Sequence, residues 1–517
     1  MRKTMNEAAV LAHPPLRPIA TAVFAIAVTM ATTMVASAAD PCASRPACQA
    51  TANRLVKLAN TTVASSLALR ASRHQQAAEQ YLALWTDHYD QDCRKRKPAC
   101  EGAQDVLYNA AQSFQAAGSG NQAIKVLRVL IDPQYRLHRT EPAKRAHVEL
   151  GQLYRSIGRF ARAAAWYERF ARQYPKMARA PVALSDAVAL RLALGQTDQA
   201  VADANLYQRL YQRRWARDAA QIAASIGAHY VDQDDWRNGE RHLSRAMSLI
   251  EVHARRDDVL RSRCNLARAK LELGKTAAAD RLYQQVRATW SNSTRRQKLV
   301  GRFDLSQPAE MRRLGRTLTA VAEASLHFSK QKRRAADGME RPAFKGPKTR
   351  TVLSHYLRTK LAPWLAARQS AIRQAEIDYL QVLKLRPMPP PSAVVEVTSD
   401  VAAMWASLLD ELRGLPYAAA APGQTGDQQW YRQQVGELAA AAEAQAKSAH
   451  RTCLGTSVKY LTRHDDGARC SRWLSRHFPQ DYAPVLELMP RPARLGSALT
   501  ERWPALTRHG PALFANR

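Results

Sequence analysis

The chain has 517 residues, which suggests three or so domains or one elongated array. Its apolar share of 46% can fill a large core and excludes wholesale disorder, while 21 glycines and 7% aromatics favour helices over a β-sandwich. Lys and Arg number 77 against 44 acids, a net charge of +33 that bears on solubility and partners rather than on fold.

Arg2, Lys3 and Arg17 precede an uncharged apolar run from Ile19 to Val35 that closes on Ala36-Ser37-Ala38. This is the layout of a secretory leader, so residues 1–39 are predicted to be a cleaved signal peptide, with the periplasm as the expected compartment. A retained membrane anchor is the alternative, since the run nearly spans a bilayer. Export to an oxidising compartment makes disulfides the expected fate of the cysteines. Proximity pairs Cys42 with Cys48, Cys93 with Cys100 and Cys453 with Cys470, although six cysteines allow fifteen connectivities. Cys264 is left over, as a buried thiol or an intermolecular handle. No CxxC occurs and no histidine stands at zinc-like spacing from two cysteines, so no metal site is predicted.

From about residue 40 to 290 an internal repeat dominates. The unit starting at Lys144 places Leu150-Gly151, Tyr154, Gly158, Phe160, Ala163, Tyr167, Phe170 and Pro175 where two antiparallel helices need them. Gly151 and Ala163 allow close approach, Gly158 makes the turn, the aromatics fill the space between hairpins, and Pro175 ends the second helix. A turn residue followed five later by a small one recurs as Ser72 to Ala77, Gly118 to Ala123, Gly158 to Ala163, Gly195 to Ala200, Asp234 to Gly239 and Gly274 to Ala279. Four residues beyond each small one stand Tyr81, Leu127, Tyr167, Ala204, Leu243 and Tyr283. Such periodicity marks a stack of hairpins.

Residues 291–386 read as a helical extension. Pro308 to Ala336 has a three- and four-residue apolar step, Gly338 to Lys348 is a basic loop, and Thr349 to Leu385 is a helix interrupted near Pro363. Residues 387–427 follow as a Pro-rich spacer at Met388 to Pro391, a helix from Val401 to Arg413, and a linker. Residues 428–490 form a terminal helical hairpin closed by Cys453 and Cys470, and 491–517 a tail.

No motif carries chemistry. Gly274-Lys275-Thr276 lacks the first glycine and the strand of a P-loop, and Asp232, Asp234 and Asp235 lack the Gly and Glu of a calcium loop. HExxH and GxSxG are absent, and His229, His242 and His253 have no paired nucleophile. The expectation is a non-enzyme without cofactor.

The hairpin pattern resembles the tetratricopeptide (TPR) repeat superfamily. The resemblance implies an all-α, TPR-type α-solenoid, a right-handed superhelix of antiparallel helix pairs, followed by a further helical region. In that family fixed positions of the first helix line the concave face. Carried over, the partner groove comprises Tyr108 and Gln112, then Arg145, Gln152 and Arg155 with Val148 and Ser156, then Arg261 and Arg268 with Cys264. A groove rich in arginine suits an acidic segment of another envelope protein, and anionic lipid headgroups or peptidoglycan are further anionic candidates. Nucleic acid fits the charge but not the compartment. The layout also resembles large periplasmic TPR proteins of myxobacteria, some linked to gliding-motility or envelope complexes. The expected function is an envelope scaffold, with a peptidoglycan-acting enzyme or its regulator, and a polysaccharide-export or outer-membrane assembly factor, as alternatives.

Overall fold

The computed structural model describes residues 42–61, 66–95, 97–415, 425–460 and 465–483. The expected leader and tail, Arg96 of the basic loop and most of the Tyr417–Asp427 linker lie outside these residues. Every regular element among the described residues is helical. The chain divides at Ser119–Gly120 into two compact units.

The first unit holds α1 (Arg45–Asn60), α2 (Leu67–His88), the short α3 (Asp90–Arg94) and α4 (Ala103–Ala116). α1 and α4 both pack on α2, through buried Ala77, Ala78, Tyr81, Leu84 and Trp85. Cys42–Cys48 and Cys93–Cys100 are disulfide-bonded, and the second closes the basic loop. The turn expected at Ser72 is a correction: Ser72 lies within α2, because residues 67–88 contain neither Gly nor Pro and nothing there interrupts the helix. Ala77 and Tyr81 are nevertheless buried at their predicted places.

In the second unit α5 (Gly120–Leu130) is followed by four hairpins: α6 (Glu141–Ser156) with α7 (Phe160–Gln173), α8 (Ala180–Ala193) with α9 (Thr197–Tyr211), α10 (Ala216–Asp232) with α11 (Trp236–His253), and α12 (Arg256–Glu272) with α13 (Thr276–Ser291). The sequence dictates their ends. Thr140 caps α6 by accepting from the Ala143 amide, and Asp235 does the same for α11 through Asn238. Gly158, Gly195 and Gly274 adopt φ of +75°, +70° and +73° at the turns between paired helices. Asp234 takes the same left-handed place at +57°, a conformation that aspartate tolerates better than most side chains.

α14 (Ser293–Val300) leads to α15 (Pro308–Asp337), a 30-residue helix that packs on α12 and α13 on one side and on α17 (Ala362–Leu383) and α18 (Pro391–Arg413) on the other. α16 (Arg350–Tyr356) runs into a wide π-type turn at Leu357–Leu361 just before Pro363, where an interruption was expected. α18 is buried over most of its length and begins at Pro391, ten residues before its predicted start. The expected spacer is thus a short link in which Pro390 is buried and Pro391 opens the helix, a position where its missing N–H costs nothing. α18 is apolar and long enough to cross a membrane, but 78% of its apolar stretch is buried inside the protein, which makes it a core helix. α19 (Gly426–Lys459) and α20 (Asp465–His477) close the unit through Cys453–Cys470.

Charged ties run through this packing. Arg368 is fully buried and donates at 3.0 Å to both Asp337 and Glu411, while Asp400 receives Arg333 and accepts from the Tyr379 hydroxyl at 2.9 Å. Arg368 and Arg333 therefore serve the interior.

Candidate functional site

α6 is amphipathic. One face buries Ala146, Leu150, Gly151 and Leu153, and the opposite side leaves Arg145, Gln152 and Ser156 exposed and Arg155 half-exposed. Val148, predicted on the outer stripe, is buried and packs inward. Arg155 reaches across to Asp186 of α8 at 3.7 Å, so the stripe continues onto the next first helix. α8, α10 and α12 then lie side by side along this face, and α15 takes the place after α12.

α15 changes the groove. Arg268 is held by both oxygens of Glu323, which also accepts from the Tyr283 hydroxyl at 2.9 Å. Arg261 pairs with Asp258 of its own helix, and Asp257 beside it accepts from Arg313 of α15 at 2.7 and 3.0 Å. Cys264 is the buried thiol, its Sγ 3.5 Å from the Ala320 carbonyl, and burial pushes its ionisation well up. Of the residues expected to meet a partner at α12, Arg268 and Cys264 contact α15 and Arg261 is paired within α12. Sequence reasoning missed Glu323 and Arg313; the available signal was a lone Glu within Val321-Ala322-Glu323-Ala324, an apolar run in need of a cation. In the first unit Tyr108 and Gln112 lie half-buried one turn apart on α4.

Two clusters gather polar groups without having been foreseen. Between α7, α8 and α9, Glu168 accepts from Arg191 Nε at 2.6 Å, and Asp203 lies against Glu168 with Arg172 Nη2 at 3.5 Å. Burial, then the neighbouring Glu168, push the Asp203 carboxyl up to about 7. Asp203 is only 2% exposed, so this pair sits within helix packing. Among α18, α19 and α20 a cavity of about 640 Å³ is lined by Arg341, Asp410, Glu411, His450, Arg469 and Trp473. His450 and His477 both stack on Trp473, with centroids 3.9 and 4.3 Å away. Among the described residues no cluster of His, Cys, Asp and Glu could hold a metal ion.

Residues 218–291, which span α10 to α13, match the tetratricopeptide-repeat family. Among solved structures the chain is similar to BtubC from P. vanneervenii, at 16% identity and a TM-score of 0.26 over 47% of this chain and 92% of that one. It is also similar to a tetratricopeptide repeat protein from Parabacteroides merdae, at 15% identity and a TM-score of 0.28 over 54% and 91%. A third is a Podosopora anserina putative kinesin light chain with nearly identical TPR-like repeats, at 16% identity and a TM-score of 0.20 over 47% and 93%. No curated protein matches the sequence. The segment from α10 to α13 thus carries a tetratricopeptide-repeat match, a framework for protein–protein interaction.

Proposed function

We propose that this tetratricopeptide-repeat chain is an exported, non-enzymatic scaffold of the cell envelope that holds partner proteins through acidic segments. The observation that carries the reading is the stripe on α6, where Arg145 and Gln152 are exposed on either side of the buried Glu149 and Arg155 reaches Asp186 of α8 at 3.7 Å. Arg145 presents a forked donor to a carboxylate of an acidic segment, and Arg155 offers a second by exchanging Asp186 for the partner's carboxylate. The compartment rests on the Arg2-Lys3 and Ala36-Ser37-Ala38 pattern and on the three cystines, which persist where thiols are oxidised. Membership of a gliding-motility or other envelope machine rests on the layout resemblance.

The test is crosslinking from Gln152 in the native envelope, followed by titration of the captured partner at two salt concentrations. Arg145→Glu with Arg155→Glu should weaken binding by at least about tenfold and lessen its salt dependence, because the steering field is reversed. Arg358→Glu with Lys360→Glu, an equal change of charge on exposed α16–α17 residues, should do far less. Equal losses from the two pairs would leave only net charge as the cause and remove the groove.

A further inference from the structure

The loops that join the second helix of one hairpin to the first helix of the next converge, in the α9–α10 and α11–α12 connections, on a cavity of about 470 Å³. Its lining includes Arg209, Leu210 and Arg213 from the first connection and His253 from the second. Residues 209–217 supply Arg209, Arg213, Arg214 and Arg217, residues 252–256 supply Arg255 and Arg256, and neither stretch contains an acid. The neighbouring acids are turned to other work: Asp257 holds Arg313, Asp258 holds Arg261 and Glu251 holds Arg263. Asp258 also faces Arg255, and Asp218, in the first turn of α10, stands near Arg213, Arg214 and Arg217 along the chain.

The same edge carries protruding apolar groups. Val252 is 73% exposed, Leu210 41% and Trp215 38%, with the Arg214 guanidinium 6.0 Å above the indole ring. A peptide seated in the cavity would be lined by apolar side chains turned inward. Here only Leu210 lines the cavity, while Val252 and Trp215 stand outside it beside a pocket of cations, which is the arrangement of a surface that meets an anionic bilayer: arginines on phosphates, an indole at the headgroup level and an aliphatic tip in the acyl boundary. We propose that this edge docks the protein peripherally on a membrane containing anionic phospholipid, with a headgroup phosphate held in the cavity by Arg209 and Arg213. The surface consists of inter-hairpin loops and is independent of the α6 stripe, so the two readings stand or fall separately.

The experiment is cosedimentation of the full chain with vesicles of phosphatidylcholine alone and of phosphatidylcholine with phosphatidylglycerol at about three to one. Binding is expected only to the mixed vesicles, and it should fall as salt rises. Arg209→Gln with Arg213→Gln should cut partitioning about 25-fold, from roughly fivefold per charge at an anionic surface. Trp215→Ala with Val252→Ala should also cut it, and both variants should keep wild-type helicity and melting. Arg358→Gln with Lys360→Gln should stay within about twofold of the parent. Equal binding to both vesicle types, no binding to either, or equal losses from the two charge pairs would overturn the proposal. So would inorganic phosphate or polyglutamate binding in an Arg209- and Arg213-dependent manner while vesicles do not, since the site would then serve a free anion or an acidic chain.

Discussion

Gly151 of α6 and the ring of Tyr167 in α7 occupy space that a single methyl group would contest: a Cβ at residue 151 would lie 2.3 Å from Tyr167 Cε1. Tyr167 is 1% exposed, so the ring has no room to retreat. Gly227 faces Leu243 in the same way across α10 and α11, at 2.2 Å. Ala replacing Gly inside a helix ordinarily gains up to about 1 kcal/mol. At residues 151 and 227 the sign should reverse, with a loss of roughly 1 to 3 kcal/mol from overpacking. Gly436 in α19 has nothing within 4 Å of its would-be Cβ, and Gly436→Ala should stabilise. Thermal melts of the three variants check this, and a stabilising Gly151→Ala would mean that the hairpin interface is looser than described.

That contact was legible in the sequence because the residues act locally. A turn needing positive φ selects Gly158, Gly195 and Gly274, and a close approach five residues later selects Ala163, Ala200 and Ala279, all fully buried. Ser72 misled because a small residue before an alanine also fits the middle of a helix. The fate of Arg268 could not be read from its own repeat. Its partner Glu323 lies 55 residues away, on a helix whose docking against α12 no repeat pattern encodes. The early start of α18 was hidden for a related reason: Pro389-Pro390-Pro391 favours an extended chain, but its last residue also opens a helix whose burial outweighs that preference.

The Asp203 carboxyl gives stability a pH dependence of known sign. Its pKa in the fold is about 7 against 3.8 for the ordinary value, so the folded state keeps a proton that the unfolded chain releases. This contribution is fully present below about pH 4, is lost as pH rises toward 7, and changes no further above that. Asp203→Asn carries no titrating proton at this site. Its melting temperature relative to the parent should climb between pH 4.5 and 7.5, and a constant difference across that range would show that Glu168, Arg172 and Arg191 already hold Asp203 ionised.

Cys453 and Cys470 are both buried, and their bond closes a 17-residue separation between α19 and α20. Loop entropy assigns it about 3 kcal/mol, a model-dependent figure. Replacing both by Ala, which leaves no buried hydroxyl, should lower the melting temperature and speed amide exchange in α20 before the rest of the unit. Unchanged exchange in α20 would mean that packing of Leu474 and the Trp473 stack suffices to hold the helix.

Arg145 and Arg268 both fall on the stripe that family resemblance assigns to a partner, yet the fold separates their roles. Arg145 is exposed on α6, whereas Arg268 is bound by Glu323 between α12 and α15, where Glu323 and its hydrogen bond lift the guanidinium's pKa further. Arg145→Glu should therefore leave melting within about 0.5 kcal/mol of the parent while weakening partner binding, since an exposed charge adds little to stability. Arg268→Glu would set two carboxylates together in a half-buried contact and leave Tyr283 beside them, for a loss of roughly 1 to 3 kcal/mol. Its effect on binding should be small once the protein is assayed below its lowered melting point. Parallel melts and titrations of the two variants separate the cases. If Arg268→Glu melted like the parent and lost binding, α15 would have to leave α12 when the partner arrives, and the groove would extend along the whole row of first helices.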